Sequence, residues 1–199
     1  MAHEPTNRRD RKVYAAIAAG ATVFGTMALI APFVVSRSKL PYMATPSGKV
    51  RRALNYLRKN GHACHVFADL GSGDGEAVYR AAQAGYRRAV GIELNYTLAG
   101  LAKMRRLFWT KNERKRTSFY CQDMFHYDIR AADTVMVFGV KPLMQSLSAK
   151  LKRECQPGAH VMSYRFRLPL CEEKSDTNLL RAKIIYDVEE MRIYRVQKG

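Results

Sequence analysis

The segment Asp69-Leu-Gly-Ser-Gly-Asp-Gly-Glu76 places three glycines between a short apolar run and a stretch with helical periodicity. The run at 66–70 (VFADL) predicts a buried strand, and residues 76–84 predict a helix that ends at Gly85. In such a turn the N–H groups that open the helix face a ligand, which can approach closely because glycine has no Cβ. The segment therefore predicts a ligand-binding loop in an α/β fold.

The glycine spacing indicates which kind of ligand the loop binds. A dinucleotide-binding loop would need a glycine at position 76, where the chain has Glu76. An acid at the opening of a helix would also repel a pyrophosphate, so an NAD site is disfavoured. Asp69, just before the loop, suits a cationic ligand instead. S-adenosylmethionine carries an ammonium and a sulfonium group, and Asp69 fits it well.

Two further acids follow predicted strands. Glu93 ends a strand at 89–93 and could accept hydrogen bonds from both hydroxyls of a ribose. Asp123 follows a strand at 118–122 and could accept one from an adenine amino group. Acids at strand ends are often structural caps, but together with the glycine loop they predict one cofactor crevice at the carboxyl edge of the sheet.

Helices separate strands through the rest of the chain, which predicts a parallel sheet with right-handed crossovers. The remaining predicted elements are helices at 96–111 and 143–155, strands at 134–138 and 160–166, and a terminal hairpin formed by 184–188 and 191–196. In the predicted helix at 96–111, Leu98, Leu101, Ala102, Arg105 and Phe108 lie near one face. The hairpin would add two strands at one edge, which gives an α/β sheet of seven strands.

This order resembles the seven-stranded, Rossmann-like class I methyltransferase family. Within it, the chain resembles one subfamily, the mitochondrial protein-lysine methyltransferases that act on the c-subunit of ATP synthase and on the adenine nucleotide translocase. The strings that carry this narrower resemblance are APF at 31–33, LPYMATP at 40–46, DLGSGDG at 69–75, GIELN at 91–95, QDMF at 122–125, VFGVKPLM at 137–144 and YRFRLP at 164–169. Glu76 is a departure, because the family usually has an arginine after GDG. The region after Pro169 matches poorly.

The resemblance implies an S-adenosylmethionine-dependent protein-lysine N-methyltransferase. It implies that the cofactor is bound by Asp69, Gly71, Gly73, Glu93 and Asp123, the residue types that the loop and the strand ends indicate on their own. The implied substrate is a lysine of a mitochondrial inner-membrane protein. The c-subunit of ATP synthase is the first choice and the adenine nucleotide translocase is the alternative. An RNA methyltransferase and a non-catalytic membrane scaffold are the rival interpretations.

The segment after the fourth strand could line a channel for the substrate lysine. A free lysine has a pKa of about 10.4, and an apolar channel would lower the cost of removing its proton. We expect Phe138, Gly139 and Pro142 to line this channel. The sequence does not identify a catalytic base. Asp74 could serve as one or could cap the helix that follows.

An uncharged stretch near the N-terminus predicts a membrane anchor. Residues 13–35 carry no charge and would span about 35 Å as a helix, against a bilayer core of roughly 30 Å. The alternatives are a buried helix and a cleaved signal. We expect a basic tail at 1–12, the anchor at 13–35, a basic linker and lead helix at 36–65, and the methyltransferase domain at 66–199. The larger excess of basic residues follows the anchor, which predicts that this side stays in the compartment from which insertion occurs. For a single anchor in the mitochondrial inner membrane, the location that the resemblance implies, the domain would lie on the matrix side.

The charge balance indicates an anionic partner. The chain has 34 Lys and Arg against 17 Asp and Glu, a net charge of +17. Residues 37–59 contain basic residues and no acid, which indicates contact with an anionic membrane surface or a solvated helix face. The basic run at 111–116 would bind RNA under the rival interpretation, but we expect no nucleic acid partner and a solvated helix end. The four cysteines are far apart in sequence, so no metal site is expected.

Overall fold

The structure is a computed structural model that describes residues 45–138, 141–171 and 179–198. The helices are α1 (Ser47–Lys59), α2 (Glu76–Gln83), α3 (Tyr96–Arg106), α4 (Lys111–Arg116) and α5 (Met144–Glu154), with a 3-10 turn at Lys141–Leu143. The strands are β1 (Val66–Leu70), β2 (Arg88–Glu93), β3 (Thr117–Cys121), β4 (Thr134–Val137), β5 (His160–Tyr164), β6 (Ala182–Val188) and β7 (Met191–Val196).

The strands form one seven-stranded sheet in the order β3-β2-β1-β4-β5-β7-β6. The first five are parallel, and the terminal hairpin is antiparallel to them. This arrangement confirms the predicted α/β sheet and the position of the hairpin at one edge. The strand order reverses between β1 and β4, so the carboxyl ends of β1, β2 and β3 lie together on one side of that switch point.

Each face of the sheet is covered by a hydrophobic core. Residues of α5, including Leu147 and Leu151, pack on one face. Residues of α1 and α2, including Leu54 and Val78, pack on the other. All four residues of β4 are buried, as expected for a central strand covered on both faces.

The predicted lead helix is α1, and it packs on the same core as the sheet. Its buried side chains are Val50, Ala53, Leu54 and Leu57. Two of its basic residues contact the turn between β6 and β7: Lys49 Nζ donates to the Glu189 carbonyl at 2.7 Å, and Arg52 Nη2 donates to Glu189 Oε2 at 2.5 Å. These two cations are therefore engaged by the hairpin.

The helix predicted at 96–111 is shorter than expected. It ends at Arg106, and a separate helix, α4, begins after Thr110. Thr110 Oγ1 accepts from the Glu113 N–H while Glu113 accepts from the Thr110 N–H, a capping box that starts a new helix. Phe108, predicted to lie near one face of this helix, instead follows its end, and its side chain is 85% exposed.

The predicted anchor at 13–35 and the basic tail at 1–12 lie outside the described residues. Among the helices that the structure describes, none is long and apolar enough to cross a membrane.

Candidate active site

The glycine loop between β1 and α2 is fixed to the end of the neighbouring strand. The N–H groups of Gly71 and Ser72 both donate to the Ile92 carbonyl, at 2.8 and 3.0 Å. The Gly75 N–H then closes a turn to the Ser72 carbonyl at 2.9 Å. The loop is therefore held beside the carboxyl end of β2.

Gly71 and Gly91 are each required by this geometry, for different reasons. Gly71 has a φ of +92°, which side chains rarely adopt, and no atom lies within 4 Å of where its Cβ would be. Gly91 on β2 is needed for close packing, because a Cβ there would lie 2.6 Å from the Phe119 ring and 2.7 Å from Ser72 Oγ. The loop is thus packed tightly on β2 and is open at Gly71, where a ligand can approach.

Glu93 connects the glycine loop to the start of α3. Its Oε2 accepts from the Gly73 N–H at 2.9 Å, and its Oε1 accepts from the Asn95 N–H at 2.8 Å. The Asn95 side chain in turn caps α3 by accepting from the Thr97 N–H at 2.9 Å. The carboxylate is held at the strand end by these bonds, and each of its oxygens keeps a further lone pair for a ribose hydroxyl.

Asp69 is a buried acid beneath the loop. Its side chain is almost wholly enclosed, and burial raises its pKa to about 8, helped by the neighbouring charges of Glu93 and Asp74. At neutral pH this carboxyl is therefore mostly protonated. A cation placed beside it would favour the ionised form, so the site is suited to a positively charged group.

Asp123 lies next along the same edge of the sheet. The backbone before it is joined to β2, because the Gln122 N–H donates to the Glu93 carbonyl at 3.0 Å. Its Oδ1 accepts from the Phe125 N–H at 2.9 Å, and its Oδ2 is 3.6 Å from His126 Nδ1. The side chain is 40% exposed and can still accept a bond from a ligand.

Asp74 and Glu76 share one cation. Arg105 from α3 pairs with Asp74 through Nη1 and with Glu76 Oε2 at 2.9 Å through Nη2. Asp74 Oδ1 also accepts from the Glu76 N–H at 3.3 Å. Asp74 is therefore held at the start of α2 by Arg105 and the Glu76 N–H, which disfavours the role of a base, and the N-cap of the helix is Gly75 rather than Asp74. Glu76 is neutralised by Arg105 and Arg80.

The predicted channel residues are not all brought together. Phe138 is half-buried after β4, and its ring centre lies 5.9 Å from that of Tyr164 at the end of β5. Lys49 Nζ lies 5.1 Å from the centre of the Tyr164 ring. Pro142 is exposed in the 3-10 turn, and Gly139 lies outside the described residues. Phe138 and Tyr164 form an aromatic wall at the carboxyl ends of the two strands.

Sequence reasoning gave no role to Arg105 or Tyr164. Arg105 was expected only as part of a helix face, although an arginine near an acid-rich loop is a signal that could have been used. Tyr164 opens the string YRFRLP that supports the resemblance. Its contact with Phe138 depends on β4 and β5 being neighbours in the sheet.

The residues at this edge fit S-adenosylmethionine. Asp69 offers a buried carboxyl for a cation, Glu93 offers two fixed oxygens for a ribose, and Asp123 offers an acceptor for an amino group. Ser72 Oγ is also buried in the loop without a hydrogen-bond partner in the part of the chain that the structure describes.

The chain is similar to a family model and to curated lysine methyltransferases. Residues 69–175 match the family model described as the ANTKMT methyltransferase domain. A lysine N-methyltransferase of the ATP synthase c-subunit from Xenopus laevis is 32% identical over 170 residues, which cover 82% of this chain and 73% of that protein. An adenine nucleotide translocase lysine N-methyltransferase of Mus musculus is 34% identical over 161 residues, covering 79% of this chain and 68% of that protein.

A solved structure shows the same fold with a related ligand. It is an RNA methyltransferase from Salinibacter ruber in complex with S-adenosyl-L-homocysteine, with a TM-score of 0.61 and 27% identity, covering 79% of this chain and 95% of that one. The predicted methyltransferase fold, S-adenosylmethionine as cofactor and protein-lysine N-methyltransferase activity are confirmed at the level of the family. The chain belongs to the family defined by the ANTKMT methyltransferase domain.

Proposed function

We propose that this enzyme transfers a methyl group from S-adenosylmethionine to a lysine side chain of a mitochondrial inner-membrane protein. The c-subunit of ATP synthase is the proposed substrate, and the adenine nucleotide translocase is the alternative. The observation that carries the chemistry is the set of acids at the ends of three adjacent strands beside an open glycine loop. The substrate proposal is supported by the names of the relatives and by the motifs shared with their family.

In the proposed reaction, the protein acts mainly by binding the cofactor and positioning its methyl group, rather than by activating the substrate. S-adenosylmethionine supplies an electrophilic methyl group. Asp69 contacts its cationic end, Glu93 holds the ribose and Asp123 the adenine, while Gly71 and Gly73, both at positive φ, let the loop approach it closely. These contacts hold the methyl group in one place, so that an incoming amine needs only to be aligned with it.

The aromatic wall affects the free-energy cost of deprotonating the substrate lysine. Deprotonating an exposed lysine at pH 7 costs about 4–5 kcal/mol, given a pKa of about 10.4. Phe138, half-buried beside the buried Tyr164 ring, offers an apolar surface that would exclude water from the incoming amine, which disfavours the ammonium form and so lowers this cost. Gly139 and Pro142, which follow Phe138 in sequence, remain proposed as further parts of the channel entrance.

We also propose that the enzyme is anchored in the inner membrane by residues 13–35, with residues 36–65 leading into a matrix-side catalytic domain at 66–199. An anchored enzyme searches a membrane plane, which raises its effective concentration towards other membrane proteins. Arg51, Arg58 and Lys59 are exposed on or next to α1, and they support contact with an anionic leaflet.

Removal of residues 1–35 is expected to release a soluble protein that binds S-adenosylmethionine as tightly as the full chain. The reason is that the described fold begins after residue 44, so this deletion leaves α1 and its buried face intact. Carbonate extraction and calorimetry measure the two properties. Deletion of residues 1–60 is the comparison and should prevent folding, because it also removes the buried side chains of α1. If the shorter deletion remained in the carbonate-resistant fraction, the anchor would lie elsewhere.

The proposed function is tested by methyl transfer from labelled cofactor into mitochondrial extracts of cells that lack the enzyme, with and without RNase. We expect label in a small membrane protein and no effect of RNase. Label that disappears with RNase would instead support an RNA substrate, the alternative suggested by the net charge of +17 and the Salinibacter relative. Phe138→Ala is the matched variant, and it should keep cofactor affinity while losing about tenfold or more in transfer at pH 7, because less of the bound lysine is then deprotonated.

A further inference from the structure

The edge strand β3 and helix α3 carry a patch of large apolar side chains that the fold leaves in solvent. We define the edge patch by its exposed members, which are Leu94, Tyr96, Met104, Leu107, Phe108 and Tyr120. Phe108 is 85% exposed and Tyr96 is 70% exposed. An exposed group of this size and hydrophobicity marks an interaction surface more often than a solvated one.

The members of the edge patch are distributed along α3 and the adjoining edge strand β3. Tyr96, Met104 and Leu107 recur at helical spacing, which puts them along one exposed face of α3 and its C-terminal extension. Met104, Leu107 and Tyr120 line one groove of about 480 Å³ between α3 and β3. The backbone at Leu94 lies beside the end of β3, because its carbonyl accepts from Cys121 Sγ at 3.8 Å.

The charge around the edge patch is strongly positive. Residues 96–121 contain seven basic residues and one acid. The acid, Glu113, is used in the capping box with Thr110. Lys103 lines the groove itself, and Lys111 and Lys115 are exposed on α4. An apolar strip with exposed aromatic side chains and a basic rim is the composition of a surface that lies in the headgroup region of an anionic membrane.

We propose that the edge patch is a membrane-docking surface of the catalytic domain, in which Leu107 and Phe108 insert into an anionic phospholipid leaflet and the basic rim contacts the headgroups. This surface is separate from the anchor proposed at 13–35 and from α1. It adjoins the cofactor crevice, because Leu94 directly follows Glu93 and Tyr120 is three residues before Asp123. Leu107 and Phe108 lie at the other end of α3, where Arg106 contacts Thr117 at the start of β3, so docking through them places the start of β3 close to the membrane.

The only tryptophan of the chain reports on this surface directly. Trp109 follows Phe108 in sequence and is half-buried between Tyr79 and Phe119, with ring centres 4.7 and 5.9 Å away. Full-length protein is mixed with vesicles of phosphatidylcholine and phosphatidylglycerol that carry brominated acyl chains, and quenching of Trp109 fluorescence is measured. We expect at least twofold more quenching than with vesicles of brominated phosphatidylcholine alone.

Two variants test whether the quenching depends on the edge patch. Leu107→Asp combined with Phe108→Asp should reduce quenching to the level of unbrominated vesicles, with folding checked by thermal melting. Val188→Asp is the control, because Val188 is an exposed apolar residue on β6 at the opposite edge of the sheet, and it should behave as wild type.

Several results would overturn the proposal. The first is equal quenching of the double variant and the wild type. The second is equal quenching of the wild type by zwitterionic and anionic vesicles. The third is no quenching of protein that floats with the anionic vesicles. If the double substitution converted a dimer into a monomer in detergent but left quenching unchanged, the edge patch would instead be an interface with a second copy of this chain.

Discussion

Replacing Glu93 with alanine is expected to weaken binding of S-adenosylmethionine by about 1–3 kcal/mol, the usual cost of losing charge-assisted hydrogen bonds. The structure gives a second reason for the weaker binding, besides the loss of contacts to the ribose. The same carboxylate accepts from the N–H groups of Gly73 and Asn95, so its removal also frees the glycine loop and the start of α3. Calorimetric titration of purified variants with the cofactor measures the effect.

Asp133 provides the control for this experiment. Its Oδ2 also accepts from two backbone N–H groups, those of His65 at 2.9 Å and Val66 at 2.6 Å. It precedes β4, however, and so lies at the amino edge of the sheet, away from the crevice. Asp133→Ala should lower the melting temperature and leave cofactor affinity within about twofold of wild type. Unchanged affinity in a folded Glu93→Ala protein would remove Glu93 from the cofactor site.

The affinity for S-adenosylmethionine is expected to rise with pH between pH 6 and 7.5, by up to about tenfold per pH unit. The sign follows from the pKa of Asp69, which burial raises to about 8. In this range the free enzyme holds the Asp69 proton, whereas the carboxylate is the form that a bound cation favours. Binding therefore releases a proton, and a lower proton concentration promotes it. The window stays below the pKa of an α-amino group, about 7.7–8.0, so the ligand remains mostly cationic.

Asp69→Asn is the matched variant, since it keeps the size of the side chain and cannot ionise. It should bind the cofactor with an affinity that is nearly independent of pH in this range, and about tenfold more weakly than wild type at pH 7.5. Calorimetry in buffers with different ionisation enthalpies counts the protons released. If wild type and Asp69→Asn released the same number of protons, Asp69 would not be the group that responds to the ligand.

The strands, the glycine loop and the acid that form the crevice could be predicted, because the sequence pattern that indicates each of them is local. The apolar run at 66–70, the glycines after it and Glu93 at the end of the next run each lie within a few residues of the feature that they specify. The end of α3 was predicted wrongly although its signal was present. Helical periodicity continued through Phe108, but Thr110 and Glu113 have the spacing of a capping box, which starts a new helix.

The remaining features depend on contacts between distant parts of the chain. The pairing of Arg105 with Asp74 joins residues 31 positions apart, and the wall of Phe138 and Tyr164 exists only because β4 and β5 are adjacent. The edge patch also follows from topology, because Tyr120 is exposed only when β3 is the outer strand of the sheet. Composition and periodicity carry no information on these contacts.

The most direct test of the central claim is the intact mass of two proteins in mitochondria from cells in which this gene is disrupted. We predict loss of methyl mass from the c-subunit of ATP synthase, with restoration when the wild-type chain is returned and no restoration with Glu93→Ala. Loss from the adenine nucleotide translocase alone would assign the enzyme to the alternative substrate. Unchanged masses of both proteins would contradict the proposed function.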